Sequence, residues 1–178
     1  MKVGVICEGP TDFLAISHFL AASLKIRGLK VEFIDIQPEI DATSVNAGGG
    51  WSIALSWLQN NPLVARESAY LGAGLFGGGL AAKACDFLIV QIDSDVLDEP
   101  SFHAYVNSRS GLTVNCPTDP ADRFVAVQSV LLHFCEFPDE DSGLQARHIV
   151  APAVENTETW CVALSGPASR TLRASKRL

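Results

Sequence analysis

The chain has 178 residues, a formal net charge of −7 from 20 acids against 13 Lys plus Arg, and 48% hydrophobic residues. That is enough for one domain with a proper core, in an ordinary globular balance. The acid excess excludes a protein that coats nucleic acid through many neutralised phosphates, but not a nuclease whose acids recruit metal ions.

Residues 3–7, VGVIC, read as a buried first strand that stops at an acid, Glu8. Gly9 is expected to let the backbone turn tightly, and Pro10 suits the start of a helix over Thr11 to Arg27. Thr11 or Asp12 would cap that helix, and Gly28 would stop it. VEFIDI (31–36) is the second strand, giving a strand–helix–strand unit suited to a parallel crossover. Residues 37–50 read as a loop, and Trp51 to Leu58 as a short helix with Trp51 and Trp57 on or near its buried face.

The glycine-rich GAGLFGGG (72–79) lacks the Lys-Ser/Thr ending of a phosphate cradle and reads as a loop. DFLIVQID (86–93) is the strongest strand, a near-continuous apolar run of the kind buried on both faces. A helix is expected over 98–107 from Asp98 or Pro100, a break at NCPTDP (115–120), and an amphipathic helix over Ala121 to Phe134. PDEDSG (138–143) reads as a solvated turn, RHIVAPAVE (147–155) as a strand with its exit loop, and TETWCVAL (157–164) as a last helix. Alternating strands and helices predict an α/β fold with a mostly parallel sheet, one domain over 1–165 and a basic flexible tail over 166–178.

Cysteines at 7, 85, 116, 135 and 161 make an odd set with no zinc-ligand spacing, which suits a reducing cytoplasm. Cys7, Cys85 and Cys161 are expected in the core. The N-terminal apolar stretch is too short for a signal peptide, and no run is long enough to cross a bilayer.

In open α/β sheets ligands gather beyond the carboxyl ends of the strands. Glu8 stands past the first strand, and Asp93 and Asp95 of QIDSD stand past the strongest one. As residues two apart on a strand, Asp93 and Asp95 would point to one side and act as a pair. Converging carboxylates repel unless a cation neutralises them, and Mg²⁺, with its preference for hard oxygen ligands, is the natural occupant. Alternatively, each acid merely caps the helix that follows it.

A hydrophobic strand ending in Glu-Gly, a helix, and a hydrophobic strand ending in Asp-x-Asp about 85 residues later resemble the Toprim domain. VICEGPTD and FLIVQIDSD carry the resemblance, and ETW (158–160) resembles the Glu-x-Trp helix of the compact, stand-alone Toprim-like proteins related to OLD nucleases of bacterial defence loci. The chain departs from many Toprim domains in continuing as VLDEP after Asp-x-Asp, where they have a glycine.

The resemblance implies a nuclease dependent on Mg²⁺, with Mn²⁺ as a substitute, acting on DNA or RNA. Asp93 and Asp95 would bind the metal. Glu8 would complete the site or act as general base. Glu158 would hold a second metal or position a water, and Asp12, one helical turn after Glu8, would join the site. Lys83 and Arg66 are the nearest candidates for stabilising phosphate charge, and Glu155 is a weaker acid candidate. The implied partners are nucleic acid, a second copy of the chain and an ATPase, since the chain has no ATPase motif of its own. Alternatives are a non-catalytic, partner-dependent Toprim module, or a haloacid-dehalogenase-like phosphatase with Asp93 as nucleophile.

Overall fold

The computed structural model describes residues 1–37, 50–71 and 83–154. Four strands, β1 (Lys2–Ile6), β2 (Glu32–Gln37), β3 (Phe87–Val90) and β4 (His148–Val150), form one sheet in the order β2-β1-β3-β4. Every pairing is parallel, so the mostly parallel α/β sheet expected from the sequence is present.

Strand alternation explains how two cores form from one sheet. Val3, Val5 and Cys7 face one side with Ile89, under Ile16 of helix α1 (Pro10–Ile26). Ile6, Leu88, Val90 and Ile92 face the other side. There they meet Leu55 and Leu58 of α2 (Trp51–Asn60), Phe102 and Val106 of α4 (Pro100–Ser110), and Leu131 and Phe134 of α5 (Pro120–Phe134). Trp51 packs edge-on against Phe102 and Tyr105, with ring centroids 5.2 and 5.4 Å apart, whereas Trp57 is only half-buried.

Between these, α3 (Leu63–Arg66) runs directly into a π-helical turn over Glu67–Leu71. Cys7, Cys85 and Cys135 are buried and Cys116 is exposed, all of them free thiols.

Three local expectations are corrected. Helix α1 starts one residue earlier than expected, with Gly9 as N-cap and Pro10 at its first position. Thr11 and Asp12 therefore lie inside the first turn rather than capping it. Gly9 has φ −153°, extended backbone open to any residue, so no glycine-specific turn is needed there. PDEDSG is not a plain turn: Asp139 accepts the Ser142 N–H at 2.7 Å and caps a short helix, α6 (Glu140–Gln145). Of the two starts expected for the helix over 98–107, Pro100 is the one used, with Asp98 in the preceding turn and the helix running on to Ser110.

Gly28, at φ +76°, does end α1 as expected. The glycine-rich 72–79 segment, the last helix over 157–164, most of the loop over 37–50 and the basic tail lie outside the described residues. Among those described, no helix is long and apolar enough to cross a membrane.

Gly4, on β1, is covered by side chains from both neighbouring strands, Ile36 of β2 and Leu88 of β3, and by Cys85. A Cβ there would lie 2.7 Å from Leu88 Cδ2 and 2.8 Å from both Cys85 Sγ and Ile36 Cγ1. At Gly9 a Cβ would meet only Asp12 Oδ2, at 3.5 Å, an ordinary contact. Gly4→Ala should therefore cost about 1–3 kcal/mol of stability by overpacking, whereas Gly9→Ala should stay within about 0.5 kcal/mol. Urea denaturation of the two variants checks the contrast.

Candidate acidic site at the strand ends

Parallel pairing brings the carboxyl ends of β1 and β3 side by side, with Ile6 opposite Val90. Both chains stay extended beyond the regular strands. Gln91 N–H donates to the Ile6 carbonyl at 2.9 Å, and Asp93 forms an isolated parallel bridge with Ala153. Glu8 then closes the gap: its Oε1 accepts the backbone N–H of Asp93 at 2.7 Å. The Glu8 carbonyl accepts the Gly50 N–H at 2.7 Å, so the same residue also ties down the start of α2.

Asp93 is steadied from its own strand, where Gln91 Nε2 donates to Asp93 Oδ1 at 2.6 Å. Directly after Asp93 the chain leaves the strand for a 3₁₀ turn over Ser94–Asp98. The two-residue alternation assumed for Asp93 and Asp95 does not apply, because Asp95 stands on that turn. Its place is set by tertiary contacts. Asp12, in the first turn of α1, is 7% exposed and close enough to act on Glu8 through its charge.

Electrostatics confirm the crowding of the acids. Burial pushes the Glu8 carboxyl up to about 8, and the charges of Asp93, Asp12 and Asp95 push the same way, opposed by the hydrogen bond from the Asp93 N–H. Burial, then the neighbouring Asp12, pushes the Cys7 thiol up to about 12, so it stays protonated and inert. Asp95 is raised, first by burial and next by Glu99, while Arg123 draws it down.

Glu158 and Glu155 lie outside the described residues. Lys83 Nζ donates to the Asp35 carbonyl at 3.3 Å. Arg66 is corrected from a phosphate contact to a structural residue. It is fully buried and donates to His148 Nε2 at 3.1 Å, the Asn61 carbonyl at 2.7 Å and the Cys135 carbonyl at 2.5 Å. Because His148 opens β4 opposite Leu88, near the start of β3, Arg66 belongs to the far edge of the sheet.

The sequence reading missed Arg123. From α5 it donates to both Asp98 carboxylate oxygens, at 2.8 and 3.2 Å, and to the Ser94 carbonyl at 2.8 Å. Its position one turn into a helix opened by Asp119 and Pro120 was the one available signal.

Among the described residues, no group of three or more His, Cys, Asp or Glu side chains is arranged to hold a metal ion. The donor chemistry nevertheless suits Mg²⁺, which is bound through one or two carboxylates and retained waters rather than by an all-protein cage. The charges of Asp93, Asp12 and Asp95, which add to burial in raising Glu8, would be offset by a divalent cation. Compared with protein-family models, with curated proteins and with solved structures, the chain matches none.

The Glu8 shift fixes a pH dependence. An acid whose value rises from 4.5 unfolded to about 8 folded binds its proton more readily in the folded protein. Its contribution to stability is present below about 4.5 and is lost as pH rises toward 8. Glu8→Gln should therefore be more stable than the parent at pH 8.5, by on the order of 1–3 kcal/mol, with the gap closing by pH 4.5. Urea midpoints of both proteins at the two pH values check it.

Proposed function

We propose that the chain is a metal-dependent nuclease of the Toprim type, acting on a phosphodiester of DNA or RNA. The observation that carries this reading is the 2.7 Å hydrogen bond from the Asp93 N–H to Glu8 Oε1. It joins the Glu-Gly and Asp-x-Asp motifs, distant in sequence, at neighbouring ends of parallel strands, where α/β sheets place their ligands.

Asp93 and Asp95 would bind Mg²⁺ or Mn²⁺ together with retained waters, Glu8 would complete the site or act as general base, and Asp12 and Glu158 would be further carboxylates. The ion, when bound, would offset phosphate charge and lower the pKa of a coordinated water. Glu8 gives the chain its own acid–base group. Without metal, burial and then the neighbouring acids push it up to about 8; a cation beside it would draw it down toward neutrality, where a general base or acid is most effective. Asp93 is oriented by Gln91 Nε2, and its N–H orients Glu8, so the two acids are set by each other.

The acid excess does not favour unaided capture of nucleic acid. A partner that delivers the substrate, such as an ATPase, and a second copy of the chain belong to the same reading. So does a cytoplasmic role in defence against phage or mobile elements.

Purified protein incubated with DNA and with RNA plus Mg²⁺ or Mn²⁺ should cleave at least one of them. Asp93→Ala should reduce the rate about 100-fold or more, as loss of a group that stabilises transition-state charge does. Cleavage unchanged by Asp93→Ala, or none with any of these additions, would contradict the nuclease reading.

A further inference from the structure

The element that carries Asp95 is the least self-sufficient part of the rim. A five-residue 3₁₀ turn has poor internal hydrogen-bond geometry and takes its shape from what grips it. Ser94 N–H donates to the Ala153 carbonyl at 3.0 Å, fixing the start of the turn to the sheet. A ring nitrogen of His103, on α4, lies 2.7 Å from the Leu97 carbonyl near its end. Between these, Arg123 reaches across from α5 and holds the turn at two points, Ser94 O and the Asp98 carboxylate.

The grip is rigid. The guanidinium meets Asp98 with two parallel N–H bonds, the fork geometry that a lysine cannot reproduce. The Arg123 side chain is only 13% exposed and rises from a helix anchored by the buried Val127, Val130, Leu131 and Phe134. Its Nη1 also contacts the Pro117 carbonyl, at 3.4 Å. Arg123, Asp98 and Asp95 together line a cavity of about 350 Å³ that opens beside the rim, with Ser94, Thr118 and Pro120 completing its wall.

The geometry points to Arg123 as the positioning residue of the acidic site: its fork to Asp98 and Ser94 O sets where Asp95 stands relative to Asp93 and Glu8. This rests on the metal-site reading above. It also has a counter-intuitive consequence. Arg123 is a positive charge acting on Asp95, so by charge alone its removal would tighten the binding of a cation. As a positioning residue, its removal weakens that binding, because the turn loses its hold at Ser94 O and Asp98.

The test is Mn²⁺ binding to the full chain, followed by electron paramagnetic resonance, for the parent, Arg123→Met and Arg123→Lys. Circular dichroism confirms that each is folded at the temperature used. Both variants should bind Mn²⁺ about 10-fold more weakly or worse, as losses of supporting residues around a metal do. Arg123→Lys keeps the charge and stays informative if Arg123→Met does not fold. Parent-like affinity in Arg123→Lys, or tighter binding in Arg123→Met, would overturn the positioning role while leaving the metal site standing. A parent that binds no Mn²⁺ would overturn the metal reading itself, and the positioning role with it.

Discussion

The functional reading depends on one backbone-to-carboxylate hydrogen bond, from Asp93 N–H to Glu8 Oε1. It exists because β1 and β3 are parallel neighbours in register, so both chains leave the sheet at the same edge. A helix cap would have sent the Glu8 carboxylate back onto α1. Instead α1 starts from Gly9 with no side-chain cap, and Glu8 turns toward the next strand. Fold topology thus converts two remote sequence fragments into one charged rim.

Among the described residues two polar clusters stand out, one at each end of the strands, and their chemistries are opposite. At the far edge, Arg66 is fully buried without a carboxylate partner in its hydrogen-bond set, yet its donors are matched by two carbonyls and a histidine nitrogen. Burial lowers His148 to about 4, so the ring is neutral and accepts from Arg66 at Nε2 while Nδ1–H donates to the Ala146 carbonyl. That is a satisfied network, which fixes α3, α5 and β4 together. At the near edge, acids gather on acids, and burial, with the charges of Asp93, Asp12 and Asp95 added, pushes the Glu8 carboxyl up to about 8. A buried carboxyl of this kind weakens the fold as pH rises, and such perturbed acids concentrate at functional sites.

Much of this was legible in the sequence. The continuous apolar runs VGVIC and DFLIVQID gave the two central strands. Helical periodicity gave α1 and α5 to within a residue or so at each end. Hidden from pattern reading were features set by tertiary contact. The chain leaves the strand at Ser94, so Asp95 is placed by α5 rather than by strand alternation. Arg66 looked like any solvated cation, and only the closure of α3 against α5 and β4 buries it. Arg123 lay in a helix whose apolar face attracted attention, while its value comes from the turn it reaches. Gly9 looked essential because glycine follows the acid, but its backbone is extended and needs no glycine.

The central claim is that Glu8 stands in a crowd of carboxylates whose repulsion a divalent cation relieves. Carbon-13 NMR titration of the Glu8 side-chain carboxyl, with and without Mg²⁺, tests it most directly. The account predicts a midpoint near 8 in the absence of Mg²⁺ and a clear fall when Mg²⁺ is added. A midpoint at the ordinary 4.5, unmoved by Mg²⁺, would contradict it.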